Sequence, residues 1–123
     1  MTNPIPSHDL VALRRDAVSL VVKCGVRADL RGFDCLVDAI VFSVLNPRVG
    51  FCNIYKRIGD DIGVKQKTVM REISYAIAQA FDIRSALSAI VGVKIPQNDV
   101  HSSLVIAYLA NELRTKLSER QRS

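Results

Sequence analysis

The residues best suited to chemistry crowd into one stretch, 56–75. Lys56, Lys65, Lys67 and Arg71 are cations, Gln66, Thr68 and Ser74 offer hydrogen bonds, and Met70 and Tyr75 are large, adaptable contacts. From 53 to 71 there are five basic residues and two acidic ones. Such a set fits a polyanion. Lys and free backbone N–H groups hold phosphates, and the planar fork of Arg matches the two acceptors of guanine. Paired catalytic groups are missing from the stretch. Asp60 and Asp61 are neighbours and point to different sides of a helix, so they do not converge as an acid/base pair and are read as surface charges.

Spacing sorts these residues onto one helix. A helix is expected over 65–81. At about 100° per residue, Lys67, Arg71, Ser74 and Ala78 share one side, with Met70 and Tyr75 flanking them. Val69, Ile73, Ala76, Ile77 and Ala80 form the opposite, buried stripe. Arg71 is the expected base-reading residue. Lys65, Gln66, Lys67 and Thr68 open the helix and are expected at phosphates, where the first-turn N–H groups are free. Lys56 and Arg57, on the preceding element, are further phosphate candidates. Glu72 adjoins the stripe, and its charge repels phosphate unless Lys or Arg pairs with it.

The element that must aim this helix is a shorter one over 53–62, with Ile54, Ile58 and Ile62 at intervals of four. Gly59 is small where two helices touch. Gly63 permits the positive φ that a tight turn asks for, and Val64 turns back into the core. A short Gly-containing turn between two helices is the logic of a helix-turn-helix, here spanning 53–81. Such a unit lays its second helix in the major groove of double-stranded DNA.

The rest of the chain supplies a scaffold. A first helix capped by Ser7 or Asp9 is expected to run to Cys24, with Leu10, Leu13, Ala17, Leu20 and Val21 at helical spacing and Gly25 ending it. A second helix over 32–45 carries a broad apolar face of Phe33, Leu36, Val37, Ile40, Val41 and Val44, and should be central. Asn46-Pro47 stops it. A fifth short helix is expected over 83–91, then an extended piece around Pro96. A last helix follows, capped by Asn98 or Asp99, running to 120 with Leu104, Tyr108, Leu113 and Leu117 inward. The expected fold is all-α, a compact six-helix domain over 9–120, between a leader at 1–8 and a tail at 121–123.

Composition agrees and excludes alternatives. Half of the 123 residues are apolar, which argues against disorder, and the net charge of +5 favours polyanionic partners. The three cysteines are odd in number and lack C-x-x-C spacing, and His8 and His101 lie far from them, so neither a disulfide framework nor a metal site is expected. No nucleophile–base pair or Gly-rich phosphate loop is present, which disfavours an enzyme, and no cofactor is expected. The apolar runs are too short to span a bilayer, and the start lacks a signal-peptide pattern. The default setting is reducing and cytoplasmic.

Several strings resemble the C-terminal effector domain of the sporulation-initiation master response regulators of endospore-forming Firmicutes. They are Cys24-Gly-Val26, Arg31-Gly-Phe33, Ile54-Tyr55-Lys56, Val69-Met-Arg-Glu-Ile73, Ala76-Ile77, Ser88-Ala-Ile-Val-Gly92 and Leu113-Arg114. The resemblance runs from 13 to 120. It implies a bacterial transcription regulator whose fourth helix reads a short promoter box. It also implies tandem copies on DNA, self-association there or through the terminal helix, and contact between the fifth-helix region and an RNA polymerase sigma factor. The family's base-reading arginine falls on Arg71, and other contact positions fall on Lys67, Met70, Ser74 and Tyr75. Several of these differ in type from the family's usual residues, which implies a different box. The family also carries a receiver domain before this one. Here a short leader stands instead, and the native-looking Met1 favours a stand-alone relative over an excised piece. The rival reading is an adaptor or antagonist of a related regulator that keeps the fold without specific DNA binding, with Met70 and Tyr75 as interface anchors.

Overall fold

The computed structural model describes residues 7–122, with side chains described over 9–120. Six α-helices follow one another: α1 (Ser7–Lys23), α2 (Arg31–Leu45), α3 (Phe51–Ile62), α4 (Gln66–Gln79), α5 (Ile83–Val91) and α6 (Ser102–Arg122). A single 3₁₀ turn, Gln97–Asp99, lies between α5 and α6. Among the described residues there is no strand, so the fold is all-α as expected.

The hydrophobic effect sets the layout. α2 buries Phe33, Cys35, Leu36, Val37, Ala39 and Ile40 on a face too wide for one neighbour, and it packs against α1, α3, α4 and α6. It is the central helix. Fully burying an aliphatic side chain of this size contributes about 1.5–3 kcal/mol, so this face is a large contributor to the stability of the domain. Ion pairs at the surface add little. Two tie neighbouring helices, Arg14 to Asp38 between α1 and α2, and Arg120 to Asp16 at 2.9 Å between α6 and α1.

Helix ends follow local chemistry. Gly25 takes φ +82°, its N–H returns to the Val22 carbonyl, and the Val26 N–H returns to the Val21 carbonyl. This closed pattern terminates α1 where Gly25 was expected to. Asp82 starts α5, its carboxylate accepting from the Ser85 N–H at 3.4 Å.

Several details depart from the expectations. α1 includes Ser7 and α6 continues to Arg122, so helix reaches two residues into each of the segments assigned to leader and tail; residues 1–6, most of that leader, lie outside the described residues. α3 starts at Phe51 rather than 53, and α4 stops at Gln79, leaving Phe81 92% exposed. α6 starts at Ser102, not after Asn98 or Asp99. The His101 N–H turns back tightly to the Asp99 carbonyl at 3.0 Å, which interrupts the helical ladder before Ser102. The inner face of α6 is Val105, Ile106, Leu109, Ala110 and Leu113. Leu104, Tyr108 and Leu117 are only half-buried at its margins.

Candidate functional site

α3 and α4 are joined by three residues. Gly63 adopts φ +79°, and both its N–H and that of Val64 return to the Gly59 carbonyl, the latter at 2.9 Å. The turn is therefore folded back on the end of α3. Gly59 matters at the same place. A Cβ there would sit 2.5 Å from the Val64 carbonyl oxygen, so the small residue serves the turn backbone rather than a helix crossing. Val64 is half-buried against the core.

Inward, α3 presents Ile54, Tyr55, Ile58 and Gly59. Ile62, expected on the same face, is 45% exposed. At about 100° per residue Ile62 points between Ile58 and Tyr55, within the buried arc, so it is its place as the last residue of α3 and not its phase that leaves it exposed. Tyr55 fills that side instead and donates a hydrogen bond to Ser102 Oγ at 3.3 Å, tying α3 to the start of α6.

α4 is held by the stripe expected of it. Val69, Ile73, Ala76 and Ile77 are buried, and Ala80, just past the helix end, is half-buried. The opposite side is open. Lys65, Gln66, Lys67, Arg71 and Ser74 are exposed, Met70 is 41% and Tyr75 54% exposed, and Thr68 is half-buried. Lys56 is exposed on α3. The candidate residues of α4 thus share one surface, with Lys67 to Ser74 covering roughly 10 Å of helix. Lys65 caps α4 through its backbone alone: the Thr68 and Val69 N–H groups return to its carbonyl, and no side chain occupies the first turn. The N–H groups of Gln66 and Lys67 therefore point outward without an intrahelical partner.

Lys56, Lys65, Lys67 and Arg71 make no ion pair among the described residues, so their charge is available to a ligand. Arg57 differs. It stands 3.9 Å from Asp61 and its guanidinium lies 5.8 Å from the centroid of the Phe42 ring, so it is engaged with α2. Glu72 is half-buried and has no ion pair with Lys or Arg among the described residues.

Two residues that position the site had weak sequence signals. Gly32, second in α2, faces α4 so closely that a Cβ there would overlap the Glu72 carbonyl oxygen and lie 2.7 Å from the Ala76 Cβ. A glycine inside a helix costs stability, and that is the signal that a packing reason exists. The second is Arg84, half-buried on α5, which lines a cleft of about 370 Å³ with Ser74 of α4. A lone Arg in an apolar nine-residue helix carries no periodic signal.

The cysteines are chemically quiet where they are buried. Burial pushes the Cys24 thiol up to about 11, and burial, reinforced by Asp38 and Glu72, does the same for Cys35. Cys52 is exposed. No group of three or more His, Cys, Asp or Glu suited to a metal ion occurs among the described residues, and no helix among them is long and apolar enough to cross a membrane.

No family model matches the chain, and no curated protein matches it.

Proposed function

We propose that the chain is a sequence-specific, double-stranded DNA-binding transcription regulator in which α3 and α4 act as a helix-turn-helix and α4 enters the major groove. One observation carries this reading. α4 is pinned by Val69, Ile73, Ala76 and Ile77, while the cations and hydrogen-bonding groups of its other side, without ion pairs among the described residues, face solvent. That division leaves Arg71 to address a base edge, and Lys65, Gln66, Lys67 and Thr68 to hold backbone phosphates at the helix start. Met70, Ser74 and Tyr75 border the groove contact and tune which sequence is accepted. Lys56 reaches a neighbouring phosphate from α3.

Selection of bound duplexes from a random library, followed by sequencing, tests the proposal. Enrichment of a short motif is expected. A folded protein that enriches nothing at low salt refutes it.

A second reading is supported by the exposed apolar side chains Phe81, Val93, Tyr75 and Met70. Under it these side chains dock a protein, as an adaptor or antagonist of a related regulator. Salt separates the two. DNA binding through several phosphates weakens steeply as salt rises, and docking on apolar side chains does not. Contact with a sigma factor through the α5 region, and self-association through α6, belong to the DNA-binding reading as further proposals.

A further inference from the structure

Beside the exposed stripe of α4 lies the cleft of about 370 Å³ that α4 shares with the start of α5, the 3₁₀ turn and the start of α6. Its polar wall is formed by Ser74, Asp82, Arg84, Gln97, His101 and Ser102. Arg84 is half-buried and makes no ion pair among the described residues. A guanidinium in a cleft wall that no carboxylate neutralises is matched by a ligand that supplies the negative charge through paired N–H···O contacts. The other groups fit the same ligand. Ser102 is 8% exposed, and its Oγ accepts from Tyr55, which leaves its own hydrogen to donate. Ser74, Gln97 and His101 add further donors. The one carboxylate on the wall, Asp82, accepts from the Ser85 N–H as the cap of α5.

We infer that this cleft binds a phosphoryl group, and that the group is a backbone phosphate of DNA lying along α4, an assignment that rests on the DNA-binding reading above. Ser74 decides the source. It belongs both to the exposed stripe of α4 and to the cleft wall, so an anion held by Arg84 continues the row of contacts begun by Lys67 and Arg71. The interface then extends past the helix-turn-helix onto α5 and α6, and Arg84 is its anchor outside α4.

Two measurements on the full chain test this. The first is binding of a fluorescein-labelled 20-base-pair random-sequence duplex as a function of KCl, for the wild type, Arg84→Gln, Arg84→Lys, Lys67→Gln and, as a control on α1, Arg15→Gln. The second is titration of the wild type and Arg84→Gln with inorganic phosphate, followed by backbone amide shifts. Loss of one phosphate contact reduces the slope of log affinity against log salt by about one. Arg84→Gln is expected to show that reduction, Arg84→Lys to restore most of the slope, and Arg15→Gln to leave it unchanged. Phosphate is expected to shift the amides of Ser74, Arg84 and Ser102 in the wild type only. A reduced slope in Lys67→Gln alone, with no phosphate-induced shifts in the cleft, overturns the inference and leaves DNA binding standing. Shifts in the cleft with an unchanged Arg84→Gln slope retain the phosphoryl site but overturn DNA as its source, in favour of a free phosphorylated molecule. Absence of duplex binding by the wild type defeats the DNA-binding reading and, with it, DNA as the source; the phosphate titration then decides whether the cleft is a phosphoryl site. If Arg84→Gln fails to fold, Arg84→Met, which keeps the apolar stem and removes the charge, replaces it in both measurements.

Discussion

Two glycines on either side of α4, Gly32 and Gly63, serve it in different ways. Against α2 the contact is backbone to backbone: Gly32 leaves room for the Glu72 carbonyl, and any Cβ there collides with it. At the α3–α4 turn, Gly63 meets nothing within 4 Å, and only its φ of +79° restricts it. Gly32 tolerates no added atom, and neither does Gly59, where a Cβ would sit 2.5 Å from the Val64 carbonyl oxygen, whereas Gly63 tolerates an atom at the cost of backbone strain. The orientation of α4 is therefore held by close backbone contact both at Gly32 and at Gly59, and Gly63 reverses the chain between α3 and α4.

The sharpest way to break this contrast is Gly32→Ala. The added methyl must push α4 off α2, with an expected loss of about 3 kcal/mol or more in stability, because the obstacle is main chain and cannot change rotamer. Chemical denaturation measures it. A loss below about 1 kcal/mol shows that the seam yields and that the contrast is wrong. Arg71→Ala isolates the exposed face from its support. Specific DNA affinity is expected to fall by roughly 1–3 kcal/mol with the melting temperature unchanged, whereas Lys67→Ala should weaken all sequences alike. Unchanged affinity in folded Arg71→Ala removes that residue from base reading.

Gly63→Ala is expected to cost about 1–2 kcal/mol, the penalty of a side chain in the left-handed region, while DNA binding survives in the folded fraction. Equal losses for Gly32→Ala and Gly63→Ala, measured by the same denaturation, would erase the distinction between seam and turn.

A further effect is alkaline and reads the same seam. Cys35 sits in α2, where Asp38 and, from α4, Glu72 reinforce the effect of burial on its thiol, and Cys24 directly follows α1. Both thiols titrate near 11 when folded, against an ordinary value of 9.0. The folded state thus keeps protons that the unfolded chain releases first. Stability is fully present below pH 9 and falls between pH 9 and 11, by about 1 kcal/mol per pH unit for each thiol. Cys35→Ala should remove close to half of that slope in denaturation measured across this pH range. A slope unchanged by the substitution would show that the α2–α4 seam does not keep Cys35 protonated.

Much of this was legible in the residues. The stripe of α4 was readable because apolar and polar positions separate cleanly at a period of 3.6, and the exposure of Lys65, Gln66, Lys67, Met70, Arg71, Ser74 and Tyr75 followed from that phase. Thr68, at the edge of the two faces, is the exception and is half-buried. α6 resisted the same method. Its apolar residues, 104–106, 108–110, 113 and 117, surround most of the helix, so the period names no single inward direction. Packing against α1, α2, α4 and α5 chose Val105, Ile106 and Leu109 over Leu104 and Tyr108.

Neighbours along the chain were enough for an all-α class, for the central rank of α2, for stops at Gly25 and Gly63, and for a two-faced α4. These follow from backbone freedom and helical period, which act over a few residues. Tertiary structure alone decided what depends on residues far apart: the Gly32–Glu72 seam, the inward side of α6, the exposure of Ile62, and the cleft that joins Ser74 to Arg84 and Ser102. No local pattern records those contacts, because each arises only when helices remote in sequence compete to bury their apolar faces around α2.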